Sequence, residues 1–364
     1  MPAEHSTRRA RLAGAVADVG ADAALITRLV NVRYLTGLAS SNAALLLQPD
    51  GEAVLATDGR YTTAAKVAAP DLELLQERNV ASALAARAAA DGVLRLGIEE
   101  HDVTLAAAET IQKAAERTQL VHLGRAVEAL RAVKDENEIS LLREACAISC
   151  RALEDLWELG GLAGRTEKHV ARDLENRMYE LGADGLAFET IVASGPNSAV
   201  PHHRPTEREI AVGDLLKIDF GAQYRGYHAD CTRTAVIGTG PEHWQREIYD
   251  LVADAQRAGR EALAAGTECV AVDHAARNVI EAAGYAEQFS HGTGHGVGLE
   301  IHEAPTLGYS STGTLADRMP VTVEPGVYLP GRGGVRIEDT LVVRDTGGPE
   351  LLTTTTKDLL VLDV

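Results

Sequence analysis

The second part of the chain contains an internal repeat. Gly-Arg-Thr-Glu at 164–167 and Gly-Thr-Glu at 266–268 each open a helical pattern. Aligned on their Thr-Glu pairs, the two copies also match at Phe188 and Phe289, and each phenylalanine introduces a segment that carries histidines. Each copy follows a long helical pattern and precedes an extended region with a hairpin-like turn. This duplicated order predicts two related α/β halves, packed as one domain over 134–345, whose interface is a natural place for a site.

The first part of the chain alternates strand-like and helix-like runs. ADAALI, NAALLLQ and EAVLAT are typical of strands, and the Ala-rich stretches near 62–68 and 81–91 are typical of helices. The alternation predicts an α/β domain. A charged stretch at 131–140 then opens a long helical pattern. We therefore predict an α/β protein with an N-terminal domain over 1–130 and a second domain over 131–364, since 364 residues exceed one ordinary core.

Composition and charge exclude several classes of partner. The formal charge of −18 disfavours nucleic acid and anionic membrane, because both reward stripes of Lys and Arg. No apolar run is long enough to cross a bilayer, and the Arg-containing N-terminus lacks the apolar core of a signal peptide. The four cysteines have no zinc-finger or CxxC spacing, so we expect reduced thiols and a cytoplasmic protein.

The glycine-rich segment HGTGHGVGLEIHE, at 291–303, places three histidines on a flexible backbone. It does not fit the G-x-G-x-x-G fingerprint, and no Gly-Lys-Ser/Thr follows it. The zinc-protease spacing H-E-x-x-H is also absent, and alternating glycines disfavour a helix that would present His291 and His295 on one face. Its chemistry must depend on residues elsewhere in the chain.

A first pair of carboxylates lies in a predicted hairpin over 215–237. Paired residues of an antiparallel hairpin have a constant sum. A turn centred between Tyr224 and Arg225 would therefore place Asp219 directly opposite Asp230. Their Cβ atoms would lie roughly 4.5–5.5 Å apart. Two carboxylates in that arrangement repel each other unless a cation lies between them.

A second pair of carboxylates lies in the other half. Glu324 and Glu338 occupy strand-like segments of 321–343 that a Gly/Pro-rich loop separates. With His295 the set becomes four carboxylates and one imidazole, which two divalent cations would neutralise. Taken singly, each residue is better explained as a turn acid, a strand end or a half-buried histidine. Six of the 12 histidines (202, 203, 228, 291, 295 and 302) fall in the segment after Phe188, in the hairpin over 215–237 or in the segment after Phe289, so we favour a metal site over coincidence. Oxygen-rich ligation without thiolate favours Mn, Co, Fe or Zn in a catalytic role.

These segments resemble the pita-bread metallopeptidases, the family of methionine aminopeptidase, aminopeptidase P and prolidase. The resemblance is carried, in the family's order, by SGPNSAVPHHRP, KIDFGAQYRGYHADCTRT, HGTGHGVGLEIHE, VTVEPGVYL and GGVRIEDT. NVRYLTG and TDGRY in the first part resemble the N-terminal domain of aminopeptidase P, prolidase and creatinase, although each alone is an ordinary loop-and-strand pattern. The resemblance covers nearly the whole chain and implies a creatinase-like N-terminal domain followed by a pita-bread catalytic domain.

The resemblance implies a dinuclear metal site. Asp219 would chelate one metal, and Asp230 and Glu338 would bridge both. His295 and Glu324 would complete the second metal. A hydroxide held between the metals would be the nucleophile, because two cations lower the pKa of water, and Mn is the first choice of metal.

The resemblance also implies roles around the metals. Glu324 would carry protons, while His302 and His291 would orient the substrate and stabilise the tetrahedral intermediate. His202 resembles the family's substrate-binding histidine, and we expect its neighbour His203 to be a surface residue. Arg336 would contact the substrate or the ligand shell.

Several functions remain open from the sequence. The N-terminal domain and the VRIED string disfavour methionine aminopeptidase, and creatinase lacks the metal ligands that this chain retains. The leading expectation is an Xaa-Pro aminopeptidase in the manner of aminopeptidase P, and the alternative is a prolidase restricted to dipeptides. Hydrolysis of a non-peptide amide and a non-catalytic binding module are remoter alternatives. The substrate would be a peptide with proline at the second position, and the resemblance implies a homodimer.

Overall fold

The structure is a computed structural model that describes residues 2–364, with side chains described from residue 4 onward. It divides into two compact units, one that ends at Arg131 and one that spans Ala132–Val364. No helix among the described residues is long and apolar enough to cross a membrane.

The first unit is built on one mixed sheet of order β4-β3-β2-β1-β5-β6. Its six strands are β1 (Ala23–Ile26), β2 (Ala43–Leu47), β3 (Ala53–Thr57), β4 (Glu73–Gln76), β5 (Arg95–Ile98) and β6 (Gln119–His122). Its helices are α1 (Pro2–Asp18), α2 (Leu29–Thr36), α3 (Thr62–Ala68), α4 (Val80–Ala90), α5 (Leu105–Ala114) and α6 (Ala126–Ala132), which runs across the boundary between the units. β1 to β3 pair antiparallel, and the outer pairs are parallel. The α/β fold predicted from the alternation is confirmed for this unit.

NVRYLTG is helical in the structure, although the segment alone is an ordinary loop-and-strand pattern. It lies in α2, and Gly37 ends the helix in the left-handed conformation, with φ of 78°. Buried Val32, Tyr34 and Leu35 give the helix its packed face. Tertiary packing of that face therefore overrides the low helix propensity of its β-branched and aromatic residues.

The second unit contains two pairs of helices. They are α7 (Glu136–Leu159), α8 (Glu167–Glu180), α9 (His243–Glu261) and α10 (Cys269–Ala282). Asp135 caps α7 through a capping box with Glu138, and Thr166 caps α8. The long and short helices occur in the order that the repeat predicts, and α8 and α10 each contain 14 residues.

The strands of the second unit form several small sheets around these helices. The first half contributes β7 (Gly185–Leu186), β8 (Ile191–Ser194), β9 (Leu215–Phe220), β10 (Ala222–Tyr224), β11 (Tyr227–His228) and β12 (Cys231–Ile237). The second half contributes β13 (Gly294–Gly296), β14 (Glu303–Leu307), β15 (Pro320–Val323), β16 (Gly326–Leu329), β17 (Gly333–Arg336) and β18 (Asp339–Val342). Two short strands, β19 (Glu350–Leu351) and β20 (Val361–Leu362), complete the edges. An isolated bridge between Thr232 and Glu338 joins the halves beside the acids.

The hairpin around the first pair of aspartates has a different register from the predicted one. Asp219 pairs with Thr232, not with Asp230, and Tyr224 pairs with Tyr227. The turn is therefore centred one residue later, on Arg225 and Gly226, which both have positive φ as a two-residue hairpin turn requires. A shift of the pairing sum by two residues preserves the alternation of faces, so both acids still reach the same cavity.

Candidate active site

Strand ends bring the four acids of the two halves together. Asp219 lies within β9, and Asp230 immediately precedes β12. Glu324 follows β15, and Glu338 precedes β18. Val323 pairs with Asp339 at the end of the β15–β18 ladder, so the next position in register places Glu324 opposite Glu338. Two hairpins, one from each half, therefore present their acids at one place.

His295 completes the acidic cluster. Ligand atoms of Asp230, His295 and Glu338 all lie within 4.8 Å of one another. His295 Nε2 is 3.5 Å from Asp230 Oδ2 and 3.5 Å from Glu324 Oε1. Its Nδ1 lies 3.1 Å from the carbonyl of Gly296 and donates to it, which directs the lone pair of Nε2 at the carboxylates.

The acids are held in an environment that disfavours their charge. Burial raises the pKa of Asp230 well above its ordinary value, and repulsion from the other carboxylates, first of all Glu338, adds to the rise. Burial likewise raises the pKa of Glu338 well above its ordinary value. Burial raises the pKa of Glu324 to about 8, although Arg336 opposes the rise. Burial, assisted by His302, lowers the pKa of His295 to about 4, so its ring is neutral.

Arg336 binds an acid of the cluster. The guanidinium is 2% exposed, and its Nη2 donates to Asp219 Oδ2 at 2.5 Å. Its Nη1 donates to the hydroxyl of Tyr328 at 2.8 Å, and its Nε donates to Thr232 Oγ1 at 3.0 Å. Thr232 in turn donates to Glu338 Oε2 at 2.7 Å. Arg336 therefore binds Asp219 directly and reaches Glu338 through Thr232.

Both ring nitrogens of His291 are occupied within the protein. Burial raises the pKa of Tyr328 to about 12, so its hydroxyl keeps its proton and donates it to His291 Nε2 at 2.8 Å. His291 Nδ1 donates to the carbonyl of Gly292 at 2.8 Å. Burial also lowers the pKa of His291 to about 3, so the ring is neutral. In this arrangement His291 has no N–H left for a substrate and instead fixes Tyr328.

His202 and His302 are placed differently from His291. Neither imidazole has a hydrogen-bond partner among the described residues, although the His302 ring packs edge-on against His295 at 4.4 Å between centroids. Burial lowers the pKa of His202. A cavity of about 630 Å³ is lined by every residue that the sequence proposes for the site: Asp219, Asp230, His295, Glu324, Glu338, His202, His291, His302 and Arg336.

Comparison with known proteins identifies the family. Residues 140–345 match the sequence model of metallopeptidase family M24, and residues 8–133 match that of the creatinase/prolidase N-terminal domain. The chain belongs to metallopeptidase family M24. The resemblance and the fold class that the sequence predicts are thereby confirmed.

Individual M24 relatives are similar over nearly the whole chain. An Xaa-Pro dipeptidase of Pyrococcus horikoshii is 34% identical over 93% of this chain and 94% of its own length. The structure of an Xaa-Pro dipeptidase from Bacillus anthracis has a TM-score of 0.94 at 36% identity, and covers 98% of this chain and 100% of that one. The structure of an X-Pro aminopeptidase from Thermotoga maritima has a TM-score of 0.89 at 35% identity, with coverage of 97% and 99%.

The donor set fits the divalent metals that the M24 family implies. Asp219 Oδ1 is buried and has no hydrogen-bond partner in the described structure, which is costly for a carboxylate oxygen unless a cation meets it. Burial, and after it repulsion among the carboxylates, raises the pKa values of Asp230 and Glu338, and a cation would offset both effects. Oxygen donors with one imidazole suit a catalytic divalent ion.

The glycines of the 291–303 segment in this M24 chain allow close approach of neighbouring strands. A Cβ at Gly294 would lie 2.0 Å from the carbonyl oxygen of Thr322, and one at Gly296 would lie 2.2 Å from that of Ala304. Both contacts are with backbone, which has little room to move. The glycines therefore serve packing around His295, and the segment contains the short strand β13 and no helix, as the alternating glycines predict.

Two residues of this M24 site differ from the sequence expectation. His203 is not a surface residue, because its side chain is 11% exposed and its Nε2 lies 2.8 Å from Glu167 Oε2. Tyr328 was not singled out at all. Its only signal was an aromatic residue in VTVEPGVYL, and strand propensity alone explains such a residue.

Proposed function

We propose that the protein is an Xaa-Pro dipeptidase that works with two divalent metal ions. The observation that carries the proposal is the convergence of four carboxylates and one neutral imidazole in a single cavity of about 630 Å³. Relatives named as Xaa-Pro dipeptidases support the dipeptide substrate. The sequence alone favoured an aminopeptidase acting on longer peptides, and we now place the dipeptidase first.

Five residues would hold the metals in this proposal. They are Asp219, Asp230, His295, Glu324 and Glu338, and the two cations they bind would activate water and polarise the scissile carbonyl. The resemblance implies that Asp230 and Glu338 would be shared between the cations, and ligand atoms of both acids lie within 4.8 Å of each other and of His295. We propose Mn as the native metal, with Co, Zn or Fe as the other candidates.

The remaining groups act on the substrate and its protons. Glu324 would carry a proton from the nucleophile to the leaving proline nitrogen, because a pKa of about 8 without metal falls towards neutrality beside a cation. His202 and His302 have ring nitrogens available to bind the peptide. His291 would act indirectly, by fixing the Tyr328 hydroxyl beside Arg336.

The test of the substrate compares peptides of increasing length. Purified protein loaded with Mn²⁺ is assayed on Ala-Pro, Ala-Pro-Ala and Ala-Ala. We expect cleavage of Ala-Pro with kcat/KM at least roughly tenfold above that for Ala-Pro-Ala, and little cleavage of Ala-Ala. Equal or faster cleavage of Ala-Pro-Ala would restore the aminopeptidase that the sequence favoured. A metal-loaded protein inert on every Xaa-Pro peptide would refute both.

The test of the metal site removes one ligand from each half. Asp230→Ala and His295→Ala should abolish activity and reduce metal uptake below two ions per chain, measured by elemental analysis after dialysis. His243→Ala is the matched control, because that side chain is 96% exposed. Full uptake of two metals by either ligand variant would overturn the assignment.

Assembly and location complete the proposal. We propose a homodimer, as the resemblance to the family implies, and a cytoplasmic protein with reduced thiols. The four cysteines are all buried and free in the structure, in keeping with a reducing compartment.

A further inference from the structure

A buried glutamate binds both ends of the segment 194–206, which carries His202. Glu167 begins α8, and its side chain is 0% exposed. Oε1 accepts hydrogen bonds from the amide of Ser194 at 2.8 Å, from the Ser194 hydroxyl at 2.9 Å and from Asn197 Nδ2 at 3.0 Å. Oε2 accepts from His203 Nε2 at 2.8 Å, from the amide of Thr206 at 3.0 Å and from its hydroxyl at 2.7 Å. One carboxylate thus gathers donors from both ends of the segment.

The carboxylate stays ionised in this position. Burial alone would raise the pKa of Glu167, but the hydrogen bonds from Asn197, His203 and their neighbours outweigh it and lower the pKa to about 2. Hydrogen bonds to a charged acceptor are stronger than those between neutral groups. The segment is therefore fixed at its donor groups by charge-assisted bonds.

Two basic side chains donate hydrogen bonds to carbonyl groups of the same segment. Lys217 Nζ donates to the carbonyls of Ser198 at 3.1 Å and Val200 at 2.7 Å. Arg336 Nη1 donates to the carbonyl of Pro201 at 3.1 Å. Since Arg336 also binds Asp219, a proposed metal ligand, it connects the backbone just before His202 to the cluster of proposed ligands.

His202 itself has no such anchor. Its imidazole makes no hydrogen bond within the described structure, yet it lines the cavity beside the proposed metal ligands. Its position is set by the residues on either side, Pro201 through its carbonyl and His203 through its ring. We propose that Glu167 and His203 are positioning residues that hold His202 against the substrate, an inference that rests on the proposed peptidase function.

The geometry separates this role from general support of the fold. Removing the His203 ring takes away one donor of Glu167, while those from Ser194, Asn197 and Thr206 remain. The buried carboxylate stays satisfied, so the protein should fold. What is lost is the constraint on the residue next to His202.

A double-mutant cycle tests the proposal in the Mn²⁺-loaded enzyme with Ala-Pro. We expect His203→Ala to raise KM roughly tenfold and to change kcat little, because it weakens substrate binding through His202. His202→Ala should raise KM by at least as much. The double variant should be no worse than His202→Ala alone, because His203 acts only through His202. His203→Gln retains an N–H donor for Glu167 and should recover most of the loss.

Controls and contrary outcomes follow from the same segment. Glu207→Gln removes an exposed ion pair with Lys168 next to Thr206, and it should leave KM unchanged. Equal KM effects of His203→Ala in the wild-type and His202→Ala backgrounds would overturn the proposal. A lowered melting temperature with unchanged KM would also overturn it, since it would make the residue purely structural.

A measurement without substrate separates this proposal from the proposed function. Histidines labelled with ¹³C at Cε1 give at most 12 signals, and His202→Ala identifies the one from His202. We expect His203→Ala to shift and broaden that signal in the full-length protein, and Glu207→Gln to leave it unchanged. An unaltered His202 signal overturns the positioning role whatever the enzyme cleaves. A protein inert on Xaa-Pro peptides with the expected spectral change would instead refute the proposed function alone.

Discussion

Metal binding to this cluster should release protons, and their number follows from the structure. With a pKa of about 8, Glu324 is about 90% protonated at pH 7 without metal. Burial also raises the pKa values of Asp230 and Glu338 well above the ordinary one, so any proton that either of them holds adds to that of Glu324. His295, with a pKa near 4, holds none to release. We therefore expect about one proton or more to leave when two cations bind at pH 7.

The released protons set how affinity depends on pH. Each released proton makes binding tenfold tighter per pH unit, or about 1.4 kcal/mol, so the proton of Glu324 alone gives roughly tenfold between pH 6 and pH 7. Calorimetric titration with Mn²⁺ in two buffers of different ionisation enthalpy counts the protons directly. Glu324→Gln cannot ionise and should release about one proton fewer, a comparison that cancels any proton lost by bound water. Release of far less than one proton by the wild type, or the same number from both proteins, would refute the reasoning.

Two further predictions concern stability. In chelator-treated protein, the pKa of Glu324 is raised to about 8, so at pH 6.5 the folded state holds a proton that the unfolded state has lost, and burial raises the pKa values of Asp230 and Glu338 in the same direction. The free energy of unfolding should then fall between pH 6.5 and 8, by about 1.4 kcal/mol per pH unit for each proton held, a window above the range in which the lowered histidine pKa values act. Urea titrations that show rising stability over this window would contradict it. Separately, Gly294→Ala should cost about 3 kcal/mol or more, because the Thr322 carbonyl 2.0 Å away cannot retreat, whereas Gly240→Ala, with open space around it, should cost little; equal melting temperatures would contradict this.

The sequence was enough to predict which carboxylates and which histidine line one cavity, but not how their strands pair. The hairpin over 215–237 and its acids follow from strand propensity and from turn residues. The register was wrong because it assumed that Asp219 and Asp230 must face each other. Arg225 and Gly226, both with positive φ, centre the turn one residue later, and the glycine was the available signal. The acids converge because strand ends of two hairpins meet, which no pairing rule within one hairpin describes.

Scaffold residues were harder to predict than ligands. The sequence predicts an exposed His203, because this residue lies beside the proposed substrate-binding histidine, His202, in a polar segment. Its partner Glu167 is 36 positions away, on a helix. A lone glutamate at a helix start is ordinary N-terminal chemistry in sequence terms. Only the fold brings the Glu167 carboxylate to the segment 194–206, so no local sequence pattern indicates this contact.

Both halves hold their histidine-bearing segment with an acid on the shorter helix, but the acid differs between the halves. In the second half, buried Asp273 of α10 accepts from the amide and hydroxyl of Thr293 and pairs with Arg277, whose guanidinium donates to the carbonyl of His291 at 2.7 Å. In the first half, Glu167 of α8 holds the segment of His202. Each histidine segment is thus clamped by an acid of the short helix in its own half, although the acids occupy different turns of those helices. Glycine gives the backbone of 291–303 conformational freedom, but the segment is held in place because Asp273, which binds Thr293, lies on helix α10.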